Sequence, residues 1–134
     1  MALPITAITA AICAIMLLVT AFDTVRQRMR LGAAFGDSGG DQKLVSASRS
    51  HGNLAEHAPL AIIMIGLIEP HANHLALSAV AALFLFARVC HIFGLYAPMS
   101  IEPPLGRKIG VVGTWLAYVI LIVWTLYMVV TLNG

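Results

Sequence analysis

Four long apolar runs alternate with three short polar stretches and account for the whole chain. The first run is uncharged from Met1 to Phe22, enough for a helix to cross a bilayer, which takes about 20 residues. Arg26, Arg28 and Arg30 follow it and no basic residue precedes it. That order predicts a retained span rather than a cleaved signal segment, with the helix continuing to about Leu31. A turn-forming stretch comes next, Gly36, Gly39 and Gly40 interleaved with Asp37, Ser38 and Asp41. The second run is polar on one side in its first half, apolar all round in its second, and contains Pro59, which membrane helices tolerate. Glu69 to His74 reads as a short turn. The third run stays uncharged until Arg88, and the prolines Pro98, Pro103 and Pro104 mark the next loop. The fourth is uncharged to the end. The pattern predicts an all-α integral membrane four-helix bundle in one domain (1–134), with spans over about 3–31, 43–68, 75–96 and 107–132.

Composition supports that reading. The chain has 134 residues, of which 60% are hydrophobic and 10% charged. Soluble domains carry roughly 45–50% and about 25%. A net charge of +2 gives no footprint for nucleic acid. Cys13 and Cys90 lie inside apolar runs with no metal or redox spacing, and read as small core or lipid-facing residues. Trp115, Tyr118, Trp124 and Tyr127 are spread along the last span, and those at its ends read as headgroup-boundary aromatics.

Charge placement orients the chain. Arg26, Arg28, Arg30, Lys43, Arg107 and Lys108 flank the first and third loops, whereas the second loop and both termini lack Lys and Arg. The positive-inside rule then predicts both termini periplasmic. Arg49, Asn53 and Glu56 share one face of the second helix, with His57 on its flank. Arg88 and His91 of the third span and Arg107 of the fourth fall at the same cytoplasmic level. Such groups are costly in a membrane and mark a site or a structural network. The inventory is rich in guanidinium: Arg26, Arg49, Arg88 and Arg107 against Glu56, with His51, Asn53, His57, His91 and Tyr96 as neutral partners. Pairing of Glu56 with Arg88 or Arg49 is expected, and it leaves about three cations for an anionic ligand, since carboxylates bind guanidinium bidentately. Such a site suits a small zwitterion with excess negative charge. The alternative is that these groups only knit the helices together. His51 and His57 lack a third metal ligand at helical spacing, and His71 and His74 read as solvated loop residues, so no metal is expected.

The segment Arg49-x-His51-Gly-Asn53-x-x-Glu56-x-x-Pro59 resembles the second-helix motif of the MAPEG superfamily, membrane-associated proteins of eicosanoid and glutathione metabolism. Val25-Arg26-x-Arg28, the turn Phe35-Gly-Asp-Ser-Gly-Gly40, Ala87-Arg88-Val-Cys-His91 and Arg107-x-x-Gly110-x-x-x-Thr114 agree, the turn resembling a bacterial branch. The resemblance implies a homotrimer in the bacterial inner membrane, with glutathione as co-substrate between neighbouring subunits. It implies a transferase or peroxidase acting on a lipophilic substrate that arrives through membrane lipid. Arg26, Arg49, His51, Asn53, Glu56, His57, Arg88, His91 and Tyr96 would line the glutathione site, and Arg107 would be catalytic, beside the sulfur. Some members carry tyrosine where His57 and Leu95 stand, and arginine where Gly52 stands. Tyr96 is one position off. These departures favour general transferase chemistry over eicosanoid synthesis. The family scaffold also serves non-catalytic lipid-binding or partner-interacting proteins.

Overall fold

The computed structural model describes residues 2–98 and 102–133, so the loop predicted at 97–104 lies partly outside the described residues. Within them the chain is all-α: α1 (Pro4–Leu31), α2 (Gln42–Ile68), α3 (His74–Tyr96) and α4 (Leu105–Asn133), with a 3₁₀ turn at Glu69–His71. Each helix begins on a local signal. Pro4 opens α1, where a missing N–H costs nothing. The Asp41 carboxylate accepts from Leu44 N–H at the start of α2, and Asn73 accepts from Leu75 and Ala76 N–H at the start of α3. The Arg107 and Lys108 amides of α4 donate to Pro104 O. Gly32 closes α1 in the left-handed conformation that glycine adopts freely. Gly36, Gly39 and Gly40 also have positive φ, so the first loop turns where the glycines permit it.

α1, α3 and α4 are each long and apolar enough to cross a membrane. α2 is 27 residues long but carries the polar face, so it falls outside that composition. Large apolar side chains point outward all round the bundle, for example Phe22, Leu75, Phe93 and Val130. In water such a surface would drive association, whereas in hydrocarbon it is the ordinary exterior. The chain is therefore an integral membrane protein. Inside, Leu54, Ala61, Ile65, Leu77, Phe84 and Leu121 form the core.

α3 and α4 are the most closely packed pair. The seam is built of small residues: Gly94 faces Gly106 and Arg107, Cys90 faces Gly106, His91 faces Gly110, and Ala87 faces Gly113. In lipid, helices associate through such close backbone approach rather than through hydrophobicity.

Within the turn expected at 69–74, Glu69 is buried, at 1% exposed. Its carboxylate accepts from Ile5 N–H (2.7 Å), Thr6 N–H (2.8 Å) and the Thr6 hydroxyl (2.5 Å). An anion thus closes the N-terminus of α1 from across the bundle, where the helix dipole favours it. Burial pushes the Glu69 acid up, but the donors from Thr6 and Ile5 and the nearby His74 outweigh it and hold the carboxyl below its usual range. A depressed value stabilises the fold above the ordinary glutamate value, about 4.3, and that contribution disappears as pH falls through the lower folded value. Replacing Glu69 by Gln is expected to cost about 1–3 kcal/mol at neutral pH. The loss should shrink as pH drops toward 3, read by thermal unfolding in detergent. A loss independent of pH would refute the carboxylate cap.

Candidate functional site

Arg88 is the most deeply buried basic residue, 2% exposed, and it rises from α3 into the middle of the bundle. Its guanidinium donates to Asn53 Oδ1 of α2 (2.6 Å), to Gly110 O of α4 (3.1 Å) and to the Thr114 hydroxyl. Thr114 passes its own proton to Gly110 O at 2.7 Å. The face of Phe84 lies 6.0 Å below the cation. One fork therefore joins three helices through neutral acceptors. The expected pairing of Glu56 with Arg88 or Arg49 does not occur. Glu56 is exposed, and the ion pairs among the described residues are Arg26–Asp23, Arg30–Asp41 and Lys108–Glu102. Asn53 reaches Arg88, whereas Glu56, three residues on and about 60° further round α2, lies at the edge of that face and is exposed.

Nearer the loops a cleft of about 490 Å³ opens between the start of α2, the end of α3 and the start of α4. Arg49 and Arg107 both line it, with Ser46 and Gln42 as polar neighbours and Leu95, Pro103 and Pro104 as apolar wall. Neither guanidinium makes an ion pair or a side-chain hydrogen bond among the described residues. Arg107 is held here because the backbone of α4 runs against Gly94, whose would-be Cβ would overlap Arg107 N. Two unpaired cations above an apolar wall can grip a carboxylate-bearing ligand and stabilise a second anionic group beside it.

The other expected site residues are distributed differently. Arg26 (3.6 Å) and the Tyr96 hydroxyl (2.6 Å) meet at Asp23 of α1, which also accepts from Gln27 (3.1 Å). Asp23 was not among the expected site residues. Its signal was present all the same: a carboxylate inside an apolar span, one helical turn before Arg26 and Gln27. His51 turns to α1, with Nδ1 3.3 Å from both the Thr20 hydroxyl and Leu17 O. His57 Nδ1 lies 2.7 Å from Asn53 O, so that nitrogen carries the proton, since a carbonyl only accepts. The Tyr118 hydroxyl donates to His57 O at 2.6 Å from inside the bundle. His91 is buried against α4. No cluster of three His, Cys, Asp or Glu side chains suited to a metal occurs among the described residues.

A description of the MAPEG family matches residues 6–127. The chain belongs to the MAPEG family. It is therefore a membrane protein of the glutathione and eicosanoid metabolism superfamily. Two relatives, both named inner membrane protein YecN and found in two strains of Escherichia coli, are 31% identical over 124 residues, covering 92% of this chain and 91% of theirs. No solved structure matches the chain. Among the MAPEG motif residues, the cleft brings Arg49 and Arg107 together, while Asn53 and Arg88 are bonded to each other beneath it.

Proposed function

We propose that this MAPEG protein is a glutathione-dependent transferase with peroxidase capacity, working at the cytoplasmic side of a bacterial inner membrane. The observation that carries the reading is the pair of unpartnered guanidinium groups, Arg49 and Arg107, on one cleft at the polar end of the bundle. Glutathione suits that cleft: a carboxylate for one cation and a thiol for the other. Arg49 grips a carboxylate, and Arg107 faces the sulfur. A cation beside a thiol lowers its pKa from about 8.5, so more of it is thiolate at neutral pH. The thiolate attacks an electrophilic carbon and expels a leaving group, or attacks a hydroperoxide oxygen, breaking the O–O bond to release the alcohol and leave glutathione sulfenic acid, which a second glutathione thiol converts to the disulfide and water. The inner-membrane location follows the name of the relatives.

A homotrimer fits the same picture. Glu56 lies exposed on a helix of a membrane bundle, where an uncovered carboxylate is expensive. A neighbouring copy laid over this face shelters it and brings Glu56 to the glutathione ammonium.

Replacing Arg107 by Gln is expected to leave glutathione binding largely intact and to shift the pH–rate profile for aryl-halide conjugation to the alkaline side. An unmoved profile would remove Arg107 from the chemistry. Binding itself is read by heating in detergent. Glutathione at 100 times its Kd adds about 2.7 kcal/mol if it binds only the folded form. No stabilisation by glutathione, with stabilisation by lipid instead, would favour the non-catalytic, lipid-binding use of the scaffold.

A further inference from the structure

Among the described residues, three buried side-chain polar atoms stand without hydrogen-bond partners: Ser50 Oγ on α2, and His91 Nδ1 and Arg88 Nε on α3. Their residues are 1%, 6% and 2% exposed. Buried polar atoms are almost always paired with protein or with ordered water, because an unpaired one costs about 1–3 kcal/mol.

The register of α2 against α3 puts the three together. The Ser46 hydroxyl donates to Leu95 O (2.7 Å), and Arg88 donates to Asn53 Oδ1 (2.6 Å). The helices run antiparallel. One step of four from Ser46 along α2 reaches Ser50, and the same step back from Leu95 reaches His91. From the other end, three residues back from Asn53 reach Ser50, and three on from Arg88 reach His91. The two observed bonds therefore bracket Ser50 and His91 as the facing pair between them. Arg88 lies one turn from His91 on the same side of α3. On its other side His91 is sealed by α4, since a Cβ on Gly110 would come within 2.5 Å of His91 Cβ. α2 packs less closely on α3 than α4 does.

We propose that a structural water occupies the α2–α3 interface, held by Ser50 Oγ, His91 Nδ1 and Arg88 Nε. Buried waters typically make about three hydrogen bonds, which is what these atoms offer. Arg88 Nε–H donates to the water. Ser50 and His91 take the remaining positions, and His91 Nδ1 takes the role the Ser50 hydroxyl leaves open. All three guanidinium nitrogens of Arg88 then have partners: Asn53, the Gly110–Thr114 pair, and the water. The bridge also extends a continuous polar line from the buried cation to Ser46 in the wall of the arginine cleft. It rests on no assumption about what that cleft binds.

The test uses ligand-free wild-type protein in lipid nanodiscs with ¹⁵N-labelled histidine, read by magnetisation transfer from water to the Nδ1 side of the His91 ring. A water cross-peak is expected there. It should vanish in Ser50→Val, which removes the hydroxyl and fills its space, and persist in Ser46→Ala, which alters only the neighbouring bond to Leu95. If Ser50→Val does not fold, Ser50→Ala should still weaken the cross-peak relative to Ser46→Ala. Absence of the cross-peak in the wild type, or its survival unchanged in the Ser50 variants, overturns the proposal.

Discussion

Gly94→Ala should force α3 and α4 apart and lower stability more than any other single methyl added to this chain. A Cβ at Gly94 would overlap the backbone N of Arg107 and lie 2.7 Å from Arg107 Cα and from Gly106 C. Those are main-chain atoms of the adjoining helix and cannot turn aside as a side chain would. Overpacking a well-filled seam costs about 1–3 kcal/mol, and rigid backbone neighbours put this site at or beyond the upper end. Gly52→Ala supplies the control of opposite sign. It lies in α2 with nothing within 4 Å of its would-be Cβ. There alanine relieves the entropic penalty of a helical glycine and should stabilise by about 0.5–1 kcal/mol. Thermal unfolding of both variants in one detergent reads the contrast. Equal effects would mean that α3 and α4 are not in the contact described. Because Gly94 and Arg107 also line the cleft, Gly94→Ala should in addition weaken glutathione binding, which Gly52→Ala leaves in place.

That seam shows what a linear pattern carries and what it does not. The four helices could be read from uncharged runs of spanning length and from the Gly-rich and Pro-rich breaks between them. Those are local properties. The closeness of α3 to α4 is written in Gly106, Gly110 and Gly113 at helical spacing, a small-residue signal of known meaning in membranes. The polar level of the site was equally readable, because Arg49, Asn53 and Glu56 are related by helix geometry alone. Partners were not. Spacing along α2 tells which residues share a face, but not which neighbouring helix that face meets. The expected pairing of Glu56 with Arg88 or Arg49 therefore fails, and Asn53 is the residue that meets Arg88. Glu69 illustrates the same limit at longer range. Beside Pro70 it has the chemistry of a turn, and only the return of the chain past the start of α1, more than sixty residues earlier, makes it a cap. Asp23 was visible as an isolated carboxylate, but its link to Tyr96 joins α1 to α3 and depends on packing that no single helix specifies.

Arg88→Leu is expected to cost on the order of 3–5 kcal/mol, the usual range for removing one partner of a buried charged network. The change leaves Asn53 Oδ1 without its donor and removes the bridge between α3 and the Gly110–Thr114 turn of α4. Arg88→Lys should recover little, because a single ammonium cannot reach Asn53 and Thr114 at once as the planar fork does. The informative variant is the double change Arg88→Leu with Asn53→Leu. Burying a cation among neutral acceptors carries its own desolvation cost, and removing both sides of the bond relieves it. The pair should then be less destabilised than the sum of the two single changes, by about 0.5–3 kcal/mol. Strict additivity would mean that Arg88 and Asn53 act independently and that the bond between them contributes little. The same variant separates scaffold from site. Arg88 is enclosed by protein, so the added stability that glutathione confers on folded Arg88→Leu should match that on the wild type, while Arg49→Leu should abolish it. If the increment disappears in Arg88→Leu as well, the buried arginine reaches the ligand, and the cleft extends deeper into the bundle than Ser46.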